Sequence, residues 1–80
     1  MRDTKYATEI RSVSLTFPGG DEARIERLRI KSSKQVEIRF SWWKKGRMIH
    51  RPLDLGERDL MKLLTKAIRE GVLFPERGAR

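Results

Sequence analysis

The sequence contains no cysteine and a single histidine, His50. Without thiolates the chain forms neither a disulfide nor a thiolate metal site, and one imidazole does not build a zinc site alone. No apolar run approaches the roughly 20 residues that cross a membrane, and residues 1–11 hold no apolar stretch of the signal-peptide kind. We therefore expect a cytoplasmic protein, nucleoid-associated if it is bacterial, that holds no metal and no cofactor.

Motifs of catalysis are also missing. The sequence shows no glycine-rich loop for phosphate, no nucleophile motif and no metal-ligand spacing. Asp54, Glu57 and Asp59 fit the start of a helix, where negative charge complements the helix dipole, better than a catalytic carboxylate pair. These absences predict a protein that is not an enzyme and has no small-molecule substrate.

Positive charge is what the chain has in excess. Nineteen Lys and Arg against eleven Asp and Glu give a net charge of +8 over 80 residues. This balance favours polyanionic partners such as nucleic acid, although proteins that bind acidic protein surfaces share it. A chain of this length makes one small domain with a single thin core.

Two segments alternate apolar and polar residues as half-buried strands do. Residues 9–17 form the first, before a turn at residues 18–21. Residues 36–43 form the other, and the turn at residues 44–47 uses Gly46 before a return strand at residues 48–51.

Residues 22–30 fit two structures. Ile25 and Leu28 are three apart, as on a short helix opened by Asp21. Leu28 and Ile30 instead alternate with basic residues, as in a strand. We predict a strand with a β-bulge near Glu26 that resets the alternation, and keep the helix as the alternative.

The period changes to that of an amphipathic helix over residues 57–70, with Gly71 placed to cap its C-terminus. Only this helix offers a second apolar surface to the sheet. We therefore predict an α+β fold, in which a four-stranded antiparallel sheet is followed by one C-terminal helix packed on one face. Residues 1–8 and 75–80 are expected to be flexible.

The tryptophan pair points to a binding face. Alternation places Trp42 on the core face with Phe40 and turns Trp43 outward. An exposed indole among basic side chains stacks a base and neutralises phosphates. The predicted nucleic-acid-binding residues are Arg29, Lys31, Arg39, Trp43, Lys44, Lys45, Arg47 and Arg51.

Each part of this prediction has a simpler alternative. An exposed Trp43 also suits a dimer contact, and residues 44–47 also suit a solvated hairpin tip. Arg29 and Lys31 also suit the protection of an edge strand from aggregation.

The segment VEIRFSWWKKGRMIHRPLDLGERDLMKLL resembles the PC4-like transcriptional coactivators, a family of single-stranded DNA-binding proteins. Val36, Ile38, Arg39, Trp42 and Trp43 carry the resemblance, which covers roughly half the chain. It implies a homodimer whose sheets form curved basic surfaces that hold single strands with little sequence preference. By position, it implies contacts from Arg39, Trp43, Lys45 and Arg47, and then from Arg29 and Lys31.

A homodimer also follows from size, because a small core without cross-links leaves sheet surface uncovered. We expect its interface at the apolar residues that end the helix and follow it, namely Ile68, Val72, Leu73 and Phe74. The expected partners are single-stranded DNA or RNA, with DNA favoured in a transcription role. The alternative is a small non-enzymatic regulator that binds a protein partner, such as a transcription complex, through the same face.

Overall fold

The computed structural model describes residues 3–75 and confirms the predicted ββββα fold. The strands are β1 (Ala7–Thr16), β2 (Asp21–Ile30), β3 (Val36–Lys44) and β4 (Arg47–Ile49), and the helix is α1 (Glu57–Arg69). The sheet is antiparallel throughout, with the strands side by side in chain order. No helix within residues 3–75 is long and apolar enough to span a membrane.

The main core lies between α1 and one face of the sheet. Leu63 and Ala67 of α1 are fully buried against Val13, Ile25 and Trp42 of the strands. We call this the helix side of the sheet, and the opposite face the open face. Neighbouring residues of a strand alternate between the two.

The backbone of α1 lies close to β1 and β2 but not to β3, whose Trp42 joins the core through its side chain. Val36 and Phe40 therefore remain 38% and 45% exposed, although they lie on the helix side. Our expectation that the apolar residues of β3 all enter the core is wrong for these two. A helix of 13 residues covers only part of a four-stranded sheet.

Residues 22–30 form a strand, as predicted, but the bulge is elsewhere. The β2 strand pairs with β3 without a register shift, and the irregularity lies in β1 between Glu9 and Arg11. The alternation changes in β2 because its apolar residues change face. Ile25 packs on the helix side, whereas Leu28 and Ile30 form a second cluster with Ala7 on the open face.

The described part of residues 1–8 has more structure than we expected. The Thr4 hydroxyl bonds to the backbone of Ala7, and Asp3 forms a bridge with Thr8. The backbone N–H of Lys31 donates to the carbonyl of Tyr6. These bonds hold the N-terminal turn beside the second cluster. The expectation for residues 1–2 and 76–80 lies outside the described residues.

The helix ends at a glycine cap, as predicted. Gly71 has a φ of +80°, and the N–H of Val72 donates to the carbonyl of Ala67 at 2.8 Å. This geometry turns Val72 under the helix, where it is fully buried in the chain's own core. Val72 is therefore not available for the predicted dimer interface. Ile68 and Phe74 are about half exposed, and Leu73 is partly packed on the core.

Candidate nucleic-acid interface

The sheet register divides the predicted binding residues between two faces. Arg39 and Trp43 lie on the open face, opposite Glu26 and Glu22 of β2. Arg29, Lys44 and Arg47 alternate to the helix side, Lys45 occupies the turn, and Arg51 follows β4. A single basic face containing all of them is therefore not formed.

Lys31 and Arg29 lie at the opposite end of β2 from the β3–β4 turn. The Lys31 ammonium is 2.8 Å from an Asp3 carboxylate oxygen, and its hydrogen bond holds the pKa of that carboxyl below its usual value. The Arg29 guanidinium donates to the backbone carbonyl of Lys34 at 3.0 Å. Both side chains hold local structure in place, away from the remaining candidates.

Trp43 is buried, contrary to the prediction. Only 3% of the residue is exposed, although it lies on the open face. Its indole N–H donates to the Ser41 hydroxyl at 2.8 Å. The Arg24 guanidinium lies over the ring, 3.9 Å from its centroid. A cation over an indole face is an attractive arrangement, and here it replaces solvent above the ring.

Arg24 is the site residue that sequence reasoning missed. Its Nε also lies 2.9 Å from a Glu22 carboxylate oxygen, so the guanidinium is held from two directions. The only indication in the sequence was that Arg24 and Trp43 fall on the same face once β2 and β3 are paired in register. Arg24 keeps 21% of its side chain exposed.

A polar network continues from Trp43 across the open face. Ser41 donates to Glu26 Oε1 at 3.2 Å, and the Arg39 Nε donates to the same oxygen at 2.8 Å. The Glu26 side chain is completely buried, whereas Arg39 is 27% exposed. Arg39, predicted to bind phosphate, thus holds a buried carboxylate through its Nε. Its other N–H groups remain as potential donors.

At the end of the sheet that contains Trp43, the most exposed basic side chains lie at the β3–β4 turn. Lys45 and Gly46 both have positive φ, as a two-residue type I′ turn requires. Asp21 is 3.9 Å from the Lys44 ammonium, too far for a hydrogen bond. Arg51 lies over the Trp42 ring at 5.1 Å. We define the hairpin cluster as Lys44, Lys45, Arg47 and Arg51, all of them exposed.

A second basic surface follows the helix. An open groove of about 770 Å³ between α1 and β1 has Leu15 and Met61 among its apolar lining. Its basic lining residues are Arg58, Lys62, Lys66 and Arg69. Lys66 also donates to the backbone carbonyl of Ser14 at 3.1 Å, which ties the helix to the β1 edge.

The site contains no arrangement suited to a metal, because no group of three His, Cys, Asp or Glu side chains converges within residues 3–75. The chain matches no protein-family model, no curated protein and no solved structure.

Proposed function

We propose that this protein binds single-stranded nucleic acid, DNA in preference, with little sequence specificity. The observation that carries the proposal is the Arg24–Trp43 stack at 3.9 Å on the open face, at the same end of the sheet as the exposed hairpin cluster. The net charge of +8 and the resemblance to the PC4-like coactivators support it. A role as a transcription cofactor in the cytoplasm, associated with the nucleoid if the cell is bacterial, belongs to the same proposal.

The hairpin cluster supplies the phosphate contacts. Lys45 and Arg47 lie at the tip of the hairpin, and within residues 3–75 neither has a carboxylate at ion-pair distance, so both are open to a phosphate backbone there. Arg24 and Arg39, in contrast, each share their charge with a glutamate at 2.9 and 2.8 Å. Counterion release on binding should therefore come mainly from the hairpin cluster.

The base contact is made by Arg24 in this proposal. Trp43 is 3% exposed and offers no ring face to a base, but the guanidinium of Arg24 lies over its ring, 3.9 Å from the centroid. Guanidinium planes stack on bases, as aromatic rings do. A base would add a third layer to the stack of Trp43 and Arg24. Such stacking tolerates every base, in keeping with binding that ignores sequence.

The double substitution Lys45→Ala with Arg47→Ala should weaken binding to an oligothymidylate at low salt. It should also flatten the slope of log affinity against log salt by about 1.4, since each single-strand phosphate contact contributes about 0.7. Fluorescence-anisotropy titrations of a labelled oligothymidylate between about 50 and about 200 mM salt would measure both changes.

The matched control removes two cations from the groove, Arg58→Ala with Lys62→Ala. This pair lowers the net charge equally but should leave the salt slope nearly unchanged. Equal flattening by both double variants would mean diffuse attraction to the whole protein and would count against a hairpin site. No rise in the anisotropy of a labelled oligothymidylate with wild type would reject nucleic-acid binding.

Arg24→Lys tests the stacking contact separately, because it keeps the charge and removes the plane. We expect it to cost about 1 kcal/mol of affinity, at the lower end of the range for a base–aromatic contact. The salt slope should not change, since the number of cations is the same. Urea unfolding of the variant would show how much of the loss reflects stability. An affinity equal to that of wild type would remove Arg24 from the site.

The helix groove favours a second candidate function, the binding of an acidic segment of a protein partner. Apolar Leu15 and Met61 beside four basic side chains would suit an amphipathic peptide with carboxylates along its polar face. An acidic peptide whose binding is lost in the Arg58→Ala/Lys62→Ala variant, but kept in the hairpin variant, would favour this candidate.

A further inference from the structure

The outer edge of β3 is left half unpaired. The β4 strand has three residues and pairs only with Trp42, Trp43 and Lys44. Residues 36–40 therefore have no strand on that side among the described residues. Sheet edges of this kind expose backbone N–H and C=O groups that another strand can pair with.

The backbone groups of Val36, Ile38 and Phe40 point to this free edge. In a two-residue type I′ hairpin, the closing pair, here Lys44 with Arg47, exchanges both hydrogen bonds. Along a strand, the backbone N–H and C=O groups of every second residue point to the same side. Those of Phe40, Ile38 and Val36 therefore point to the side that Lys44 faces. The Gln35 carbonyl accepts from Ile30 of β2 at 2.8 Å, which agrees with this phase.

The same three residues present apolar side chains on the part of the helix side that α1 does not cover. Val36 is 38% exposed, Phe40 is 45% exposed and Ile38 is partly buried. Phe74, 46% exposed, lies nearby under the Arg27 guanidinium, and Arg27 is the cross-strand neighbour of Ile38. An unpaired edge and an uncovered apolar surface thus coincide.

We propose that two copies of this chain pair through residues 36–40 of β3, antiparallel, with Ile38 opposite Ile38 on the two-fold axis. This register places Val36 of each copy opposite Phe40 of the other. It also places Glu37 opposite Arg39, so that the charges on the open face are complementary at two symmetric positions. About six backbone hydrogen bonds would form.

The available space fits this register. The β4 strand ends at Ile49, opposite Trp42, so a second β3 that pairs from Phe40 onward begins where β4 stops. On the other side, the turn before β3 bends away with Lys34 at a φ of 66°. The two pairs of Glu37 with Arg39 of the other copy favour this register, because opposite charges across antiparallel strands attract. A shift of the register by two residues would separate both pairs.

The pairing is independent of nucleic-acid binding. It accounts for the uncovered half of the sheet, and it replaces the C-terminal interface that the sequence suggested. Both open faces would lie on one side of a continuous sheet of eight strands. Such a sheet would present both Arg24–Trp43 stacks to the same strand of nucleic acid.

The test begins with the mass of the wild-type protein by light scattering at tens of micromolar, where we expect a dimer. Glu37→Lys should raise the dimer dissociation constant at least about tenfold, because two attractive pairs become repulsive. Asp54→Lys is the control: it makes the same charge change at an exposed loop position and should leave the dimer intact.

A cross-link locates the interface. The chain has no cysteine, so Ile38→Cys provides a single thiol that would meet its own copy at a Cα separation of about 5.5 Å, within disulfide range. Val36→Cys is the control, since its two copies would lie roughly 13 Å apart along the strands. Oxidation should yield covalent dimer with Ile38→Cys and little with Val36→Cys.

Three results would overturn the proposal. One is a monomeric wild type. Another is a dimer that survives Glu37→Lys as well as it survives Asp54→Lys. The third is cross-linking by Phe74→Cys but not by Ile38→Cys, which would place the interface at the C-terminal end instead.

Discussion

Trp43→Ala should destabilise the protein by about 3–5 kcal/mol, as much as Trp42→Ala on the opposite side of the sheet. Trp43 is 3% exposed and Trp42 is 8% exposed, so either truncation leaves a large cavity. Trp43→Ala additionally removes the hydrogen bond to Ser41 and the surface on which Arg24 lies. Urea unfolding followed by circular dichroism would compare the two variants.

Trp43→Phe is the matched control for this prediction. Phenylalanine retains an aromatic face for Arg24 but has no N–H for Ser41, so the cost should fall to about 1–3 kcal/mol. A mild Trp43→Ala beside a severe Trp42→Ala would show that the open-face tryptophan is exposed in solution, with Arg24 displaced from it.

Arg39→Ala should cost about 3 kcal/mol of stability, near the lower end for breaking a buried ion pair because Arg39 is partly exposed. The guanidinium hydrogen-bonds to Glu26, whose side chain is completely buried. Its removal leaves a carboxylate in the interior with less compensation for lost hydration. Arg58→Ala, the same change at an exposed position of α1, should alter stability by less than about 0.5 kcal/mol.

A double-mutant cycle checks the cause. In the Arg39→Ala background, Glu26→Gln removes the buried charge and should recover part of the lost stability. A coupling energy near zero would mean that Arg39 acts through packing of its alkyl chain alone. Because Arg39→Ala is expected to destabilise the fold, its nucleic-acid affinity must be measured under conditions where the variant is folded. Only then does a lower affinity indicate a lost phosphate contact.

The fold was predictable because its elements follow local rules. The period of two in β1 and β3, Gly46 in the hairpin turn and Gly71 after the helix are all visible in short stretches of sequence. The strand in residues 22–30 is less evident from its own sequence, because pairing with both neighbouring strands stabilises it. The helix alternative had no apolar residue to continue it past Ile30.

The candidate site was less predictable because alternation gives the face of a side chain but not what covers that face. Trp43 was placed on the correct face and was nevertheless buried, since Arg24, 19 positions earlier in the chain, lies over it. Phe40 was placed on the core face and was nevertheless exposed, since α1 ends its coverage at β2. Both outcomes depend on contacts distant in sequence.

The change of face within β2 has a consequence for how stability is distributed. Near Ile25 the sheet is covered by α1, whereas near Leu28 and Ile30 it is covered on the other side, beside the N-terminal turn. We therefore expect the smaller cluster to open at a lower free energy than the larger one, which hydrogen exchange of the two halves of β2 would measure. Both β1 and β2 contribute residues to the two clusters. Because β2 also has a paired strand on each side, we expect it to open only with global unfolding.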